Sequence, residues 1–92
     1  KRVVMLTKNI QLNNTNWNDV EELAEEQLEE GVNYTLTIRG GYKAEVCIAS
    51  ATPQKSFLGH PVSSNENFLY QHKSGNKLFI KTDTVGTIFI IS

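Results

Sequence analysis

The sequence predicts a mainly β protein, a small antiparallel β-sandwich or barrel with one short α-helix. Three observations carry this. Apolar and polar residues alternate with a period of two over most of the chain, as in strands with one buried face. A period of three to four occurs once, between Asn18 and Leu28. Turn-forming glycine, serine and asparagine recur at intervals of about ten residues through the last third, the rhythm of short strands folded back on one another.

Val3 to Leu12 alternates loosely, with Ile10 and Leu12 on one face and Asn9 and Gln11 on the other, and is expected to be a strand. The run Asn13-Asn14-Thr15-Asn16 ends it, because asparagine competes for backbone hydrogen bonds and tolerates turns. Val20, Leu23, Ala24, Gln27 and Leu28 then follow the helical period. Asn18 or Asn16 is placed to cap the helix, and Asp19, Glu21 and Glu22 complement its positive end. Gly31 suits the residue after a helix, but Glu25, Glu26, Glu29 and Glu30 lie where the dipole disfavours negative charge. The expected end is therefore as early as Glu25.

Tyr34, Leu36 and Ile38 alternate with Thr35, Thr37 and Arg39, and Gly40-Gly41 supplies the backbone freedom of a tight turn. A hairpin is expected, with Lys43 to Ser50 as its second arm, Ala44, Val46 and Ile48 on one face and Glu45, Cys47 and Ala49 on the other. Ala51 to Asn67 has no periodicity and holds Pro53, Pro61 and Gly59. Unstructured loops beyond about 12 residues are uncommon in compact domains, so this segment is the first place to look for a contact surface.

The last third reads as a β-meander: Phe68 to His72, a turn at Ser74-Gly75-Asn76, Leu78 to Lys81, a turn through Asp83 to Gly86, and Thr87 to Ile91. Ile38, Val46, Ile48, Leu78, Ile80 and Ile88 are the expected core. The final strand is apolar from Ile88 to Ile91, which predicts cover on both of its faces. One face would meet the core; the other would meet the helix stripe of Val20, Leu23 and Leu28, a folded-back loop, or another subunit, which makes Phe89 and Ile91 candidate interface residues.

A chain of 92 residues, 39% hydrophobic, fits a single domain spanning residues 1–92. Its net charge of −1 lacks the basic surplus that nucleic acid demands, so nucleic acid is not an expected partner. The six acids between Glu21 and Glu30 predict an acidic patch, most simply a solvated helix face. The single Cys47 permits no internal disulfide and favours assembly in the cytoplasm. The longest apolar run, Ile88 to Ile91, is far short of the roughly 20 residues of a membrane-spanning helix, so no membrane partner is expected. Lys1, with Met5 close behind, fits an excised domain, a processed product or a start at Met5 alike.

His60 and His72 stand twelve residues apart with no Cys or acid at ligand spacing, so no metal or other cofactor is expected. No nucleophile with base and orienting acid, and no phosphate-binding glycine loop, emerges; catalysis is not expected. Cys47, between Val46 and Ile48, reads as a buried inert thiol. Trp17 reads as a core residue or as a staple packed back on the helix, ahead of a sugar-stacking platform. Phe57-Leu58 is odder, two large apolar residues in a loop of Ser, Pro and Lys. They either tuck beneath it or offer an anchor to a partner, with His60 close by.

Trp17, Gly31 with Tyr34, Arg39-Gly40-Gly41, Thr52-Pro53, Gly59-His60, Phe68 to Tyr70 and the hairpin Ser74-Gly75-Asn76-Lys77-Leu78-Phe79 come in an order that spans about three-quarters of the chain. In that order the chain resembles a group of short β-sandwich proteins among the structural genes of tailed bacteriophages. The resemblance implies a non-enzymatic virion component, a capsid decoration or head or tail accessory protein, assembled in the host cytoplasm. Its implied partners are capsid or tail subunits, with self-association a further expectation. A carbohydrate- or receptor-binding module is the alternative, and needs exposed aromatics between Ala51 and Asn67.

Overall fold

The computed structural model describes residues 7–39 and 43–92. Along the chain lie β1 (Lys8–Gln11), β2 (Asn18–Asp19), α1 (Val20–Ala24), β3 (Asn33–Arg39), β4 (Ala44–Ala49), β5 (His60–Val62), β6 (Asn67–Gln71), β7 (Lys77–Thr82) and β8 (Ile88–Ile91). They form two four-stranded antiparallel sheets in the orders β1-β8-β3-β6 and β2-β7-β4-β5. The protein is a sandwich and not a closed barrel.

The core is where the inward phases of the two sheets meet. Leu36, Ile38, Tyr34, Phe89, Ile91 and Tyr70 come from the first sheet, and Ala44, Val46, Val62, Leu78 and Ile80 from the second. Ile38, Val46, Leu78 and Ile80 are buried as expected. Two expected core residues are not. Ile48, next to the last residue of β4, is 48% exposed although its partner Leu78 on β7 is fully buried. Ile88 is 41% exposed because it belongs to the outward phase of β8, between Gln11 and Arg39.

The terminal strand therefore alternates after all. Phe89 and Ile91 are fully buried in the core, which corrects the expectation that they are interface residues. Ile88 and Ile90 face outward, shielded in part by the side chains of the flanking strands β1 and β3. The helix does not cover them: it packs on β1, β2 and β7 and sends Val20 and Ala24 into the core, and Leu28, in the segment after the helix, joins them there.

Pairing between sequence neighbours also differs from expectation. β3 and β4 do not form a hairpin; they belong to different sheets, and both send side chains into the shared core. The Gly40-Gly41 turn lies outside the described residues. The expected meander is absent as well, since β6 and β8 belong to one sheet and β7 to the other. Alternation identifies a strand with one buried face but not which of the two sheets it joins. The aperiodic Ala51–Asn67 stretch contains β5, which pairs with β4.

The helix starts one residue later than the expected caps. Asp19 Oδ1 accepts from Glu21 N at 3.0 Å, whereas the Asn18 amide is engaged with Asn14 Oδ1 and Asn16 O. The helix ends at Ala24, and Glu25 adopts the left-handed conformation at φ 57°. Gly31 instead occupies the turn before β3, at φ 82°. Two side chains secure so short a helix: Glu21 Oε2 accepts from Leu28 N at 2.8 Å, and Lys8 Nζ donates to Ala24 O at 2.6 Å.

Candidate functional site

The second sheet has an outward face that is partly roofed. Because Asn18 pairs with Ile80 and Asp19 with Phe79, the outward phase of β7 is Phe79 and Lys81. Opposite them on β4 stand Cys47 and Glu45. Phe79 is buried despite facing away from the core. The segment between β4 and β5 folds back over this face.

Gly59 fixes that segment. Its N–H donates to Glu45 Oε1 at 2.7 Å. A β-carbon added to it would stand 2.5 Å from the Val46 carbonyl oxygen and 2.6 Å from Trp17 Cη2, a fit open only to glycine. Lys81 binds the same segment from below, its Nζ donating to the Lys55 carbonyl at 2.6 Å while lying 5.5 Å from the centroid of the Trp17 ring. Trp17 is buried, and its Nε1 has no hydrogen-bond partner among the described residues. This burial is what the core reading expected, and the ring packs under the loop; with Asp19 as the cap it does not occupy the N′ position of a staple.

Phe57 and Leu58 part company. Phe57 leans on Trp17, ring centroids 6.4 Å apart, and is 50% exposed, whereas Leu58 is 80% exposed. Leu58, Gly59 and Pro61 form the lip of a cleft of about 300 Å³, and Lys43, Glu45, Lys81 and Asp83 supply its charged walls. His60 is exposed on β5 and turns away from this cleft group toward Phe68 of the other sheet, at 5.7 Å between ring centroids. The structure therefore turns Phe57 onto Trp17 and Leu58 outward beside the cleft, sets His60 at one side, and leaves Phe89 and Ile91 in the interior.

His72 is buried, with Nδ1 2.8 Å from the Tyr70 hydroxyl. Cys47 is partly covered, and desolvation pushes its thiol above the ordinary value of 9.0. Among the described residues no three His, Cys, Asp or Glu side chains gather where they could hold a metal ion. The arrangement offers an apolar tip on a stiff mount, beside a cleft with two ammonium groups and two carboxylates. Lys81 is the residue that sequence reasoning missed in this site, because the groups it meets, the Lys55 carbonyl and the Trp17 ring, are remote from it in the chain. No family model, curated protein or solved structure matches this chain.

Proposed function

We propose that this chain is a non-enzymatic structural module that binds other protein subunits, serving as a decoration or accessory component of a tailed-bacteriophage virion. The virion setting comes from the resemblance of the sequence. The observation that carries the binding role is the mounting of Leu58. A leucine 80% exposed is common enough, but this one is fixed by the adjoining Gly59, which is wedged against Trp17 and Val46 and hydrogen-bonded to Glu45. An apolar anchor held in place before binding loses little conformational entropy on contact, which favours protein recognition. The carbohydrate reading has less support, because the aromatic of this loop, Phe57, is half covered by Trp17 and presents no flat stacking platform.

The test uses particles purified from cells that carry the coding sequence. Mass spectrometry detects the chain in those particles, and purified chain rebinds to particles made without it. Leu58→Asp keeps its circular dichroism spectrum and lowers rebinding tenfold or more. Absence of the chain from particles, or rebinding untouched by Leu58→Asp, overturns the reading.

A further inference from the structure

The four sheet edges are unequal. β2 has two residues; β5 has three, with Pro61 in the middle; β1 has four and includes Lys8, whose ammonium is committed to Ala24 and Glu26. Short strands, proline and charge are the usual devices that stop an edge from pairing with another chain. β6 has none of them. Its sequence is Asn67-Phe68-Leu69-Tyr70-Gln71, uncharged, with Leu69 75% exposed on the outward face.

Hydrogen-bond parity shows which backbone groups of β6 have no strand partner among the described residues. His72 N donates to Val32 O, and His72 O accepts from Gly31 N, so His72 directs its backbone toward the β3 side. Direction alternates along a strand, which turns Tyr70 and Phe68 the same way and Asn67, Leu69 and Gln71 outward from the edge. The other side of β3 agrees: Thr35, which lies opposite Leu69, exchanges both of its backbone bonds with Ser92.

We propose that this edge is a self-association surface, on which β6 of a second copy pairs antiparallel about a two-fold axis at Leu69. In that register Leu69 meets its own counterpart, and Asn67 meets Gln71. These are the residues whose N–H and C=O groups point out of the edge, so the pairing forms about six backbone hydrogen bonds without moving either sheet. Opposing residues keep the same face of the sheet, as pairing requires. Glu66 falls opposite His72 and Lys73 opposite Asn65, so no like charges meet. The edge is thus complementary to itself, which is what an isologous contact between identical chains demands. The inference stands on the edge geometry and does not depend on the virion reading.

Two experiments on the full chain test it. Sedimentation velocity up to about 1 mM shows a reversible dimer, and Leu69→Lys, which sets two ammonium groups face to face at the axis, weakens it tenfold or more while the circular dichroism spectrum is unchanged. In a Cys47→Ser background, Leu69→Cys gives a disulfide-linked dimer on mild oxidation. Hydrogen-bonded partners have Cα atoms about 5.5 Å apart, within the range a disulfide spans. Thr37→Cys, on the same face but on β3, is the control and stays monomeric. A chain monomeric throughout that range, a dimer indifferent to Leu69→Lys, or equal cross-linking at Leu69→Cys and Thr37→Cys overturns the proposal.

Discussion

Gly59 and Trp17 are in contact through the space a side chain would fill: a β-carbon on Gly59 would stand 2.6 Å from the indole Cη2. The tip of the β4–β5 connection and the buried tryptophan are thereby one packed unit. Gly59→Ala must displace either the ring or the β4 backbone, and overpacking of this kind costs about 1–3 kcal/mol. Urea unfolding measures it. A cost below about 0.5 kcal/mol would mean that the connection lifts freely from the sheet, and that Leu58 has no fixed mount.

Ile38 and Ile48 both lie on inward phases of their strands, yet they should respond differently to truncation. Ile38 is fully buried, and Ile38→Ala should cost about 2–5 kcal/mol. Ile48 is 48% exposed, so Ile48→Ala forfeits only part of that burial and should cost about 1 kcal/mol. Equal losses in the two variants would show that Ile48 is covered.

The strands and the helix were legible because alternation and capping are local. Tyr34, Leu36 and Ile38 had to share a face whichever sheet received them, and the acids after Ala24 stopped the helix where the dipole argument placed its end. Sheet membership was not legible, because β3 and β4 carry the same alternation whether they pair with each other or join different sheets. Burial at strand ends was hidden for the same reason: Ile48 fits the inward phase, and alternation does not say how far along a strand the cover from the rest of the fold extends. In the candidate site Phe57 and Leu58 stood out by composition. Burial of Trp17 was legible, but its partner was not, because Gly59 is remote in the chain and bears no side chain to announce the contact.

Lys8 Nζ donates to Ala24 O at 2.6 Å and lies 3.4 Å from Glu26 Oε1, which joins the first described strand to the end of a five-residue helix. A helix so short has no independent stability and depends on such ties. Lys8→Met keeps the aliphatic stem and removes the donor. At this partly exposed end it should cost about 1 kcal/mol, read by urea unfolding, with early hydrogen exchange in the turn after Ala24. An unchanged stability would mean that water replaces the ammonium without loss.

Cys47 is partly covered by its position opposite Phe79, and desolvation raises its thiol above the ordinary 9.0. The thiolate is the reactive form, so a raised value slows alkylation. At pH 8 iodoacetamide should label the folded chain several-fold more slowly than the chain in urea. Equal rates would show that the roof over the second sheet leaves this thiol fully wet.

Tyr70 is buried with its hydroxyl 2.8 Å from His72 Nδ1, and its pKa is raised above the ordinary 10.0, first by burial and next by the negative charge of Glu21, with a backbone hydrogen bond at Lys73 acting in the opposite sense. The phenol is neutral when protonated. Below pH 10 both folded and unfolded states hold the proton, and the group adds no pH dependence. As the pH rises past 10 the unfolded chain ionises first, while the folded chain must retain its proton in an apolar site, so stability falls through the folded pKa. Tyr70→Phe abolishes that part of the fall. At neutral pH the same substitution leaves His72 Nδ1 without its partner and should cost about 1–3 kcal/mol. Unfolding free energies of the two proteins should therefore lie apart at pH 7 and draw together as the pH rises past 10. Curves that stay parallel throughout that rise would show that the Tyr70 hydroxyl ionises in the folded protein as readily as in the unfolded chain.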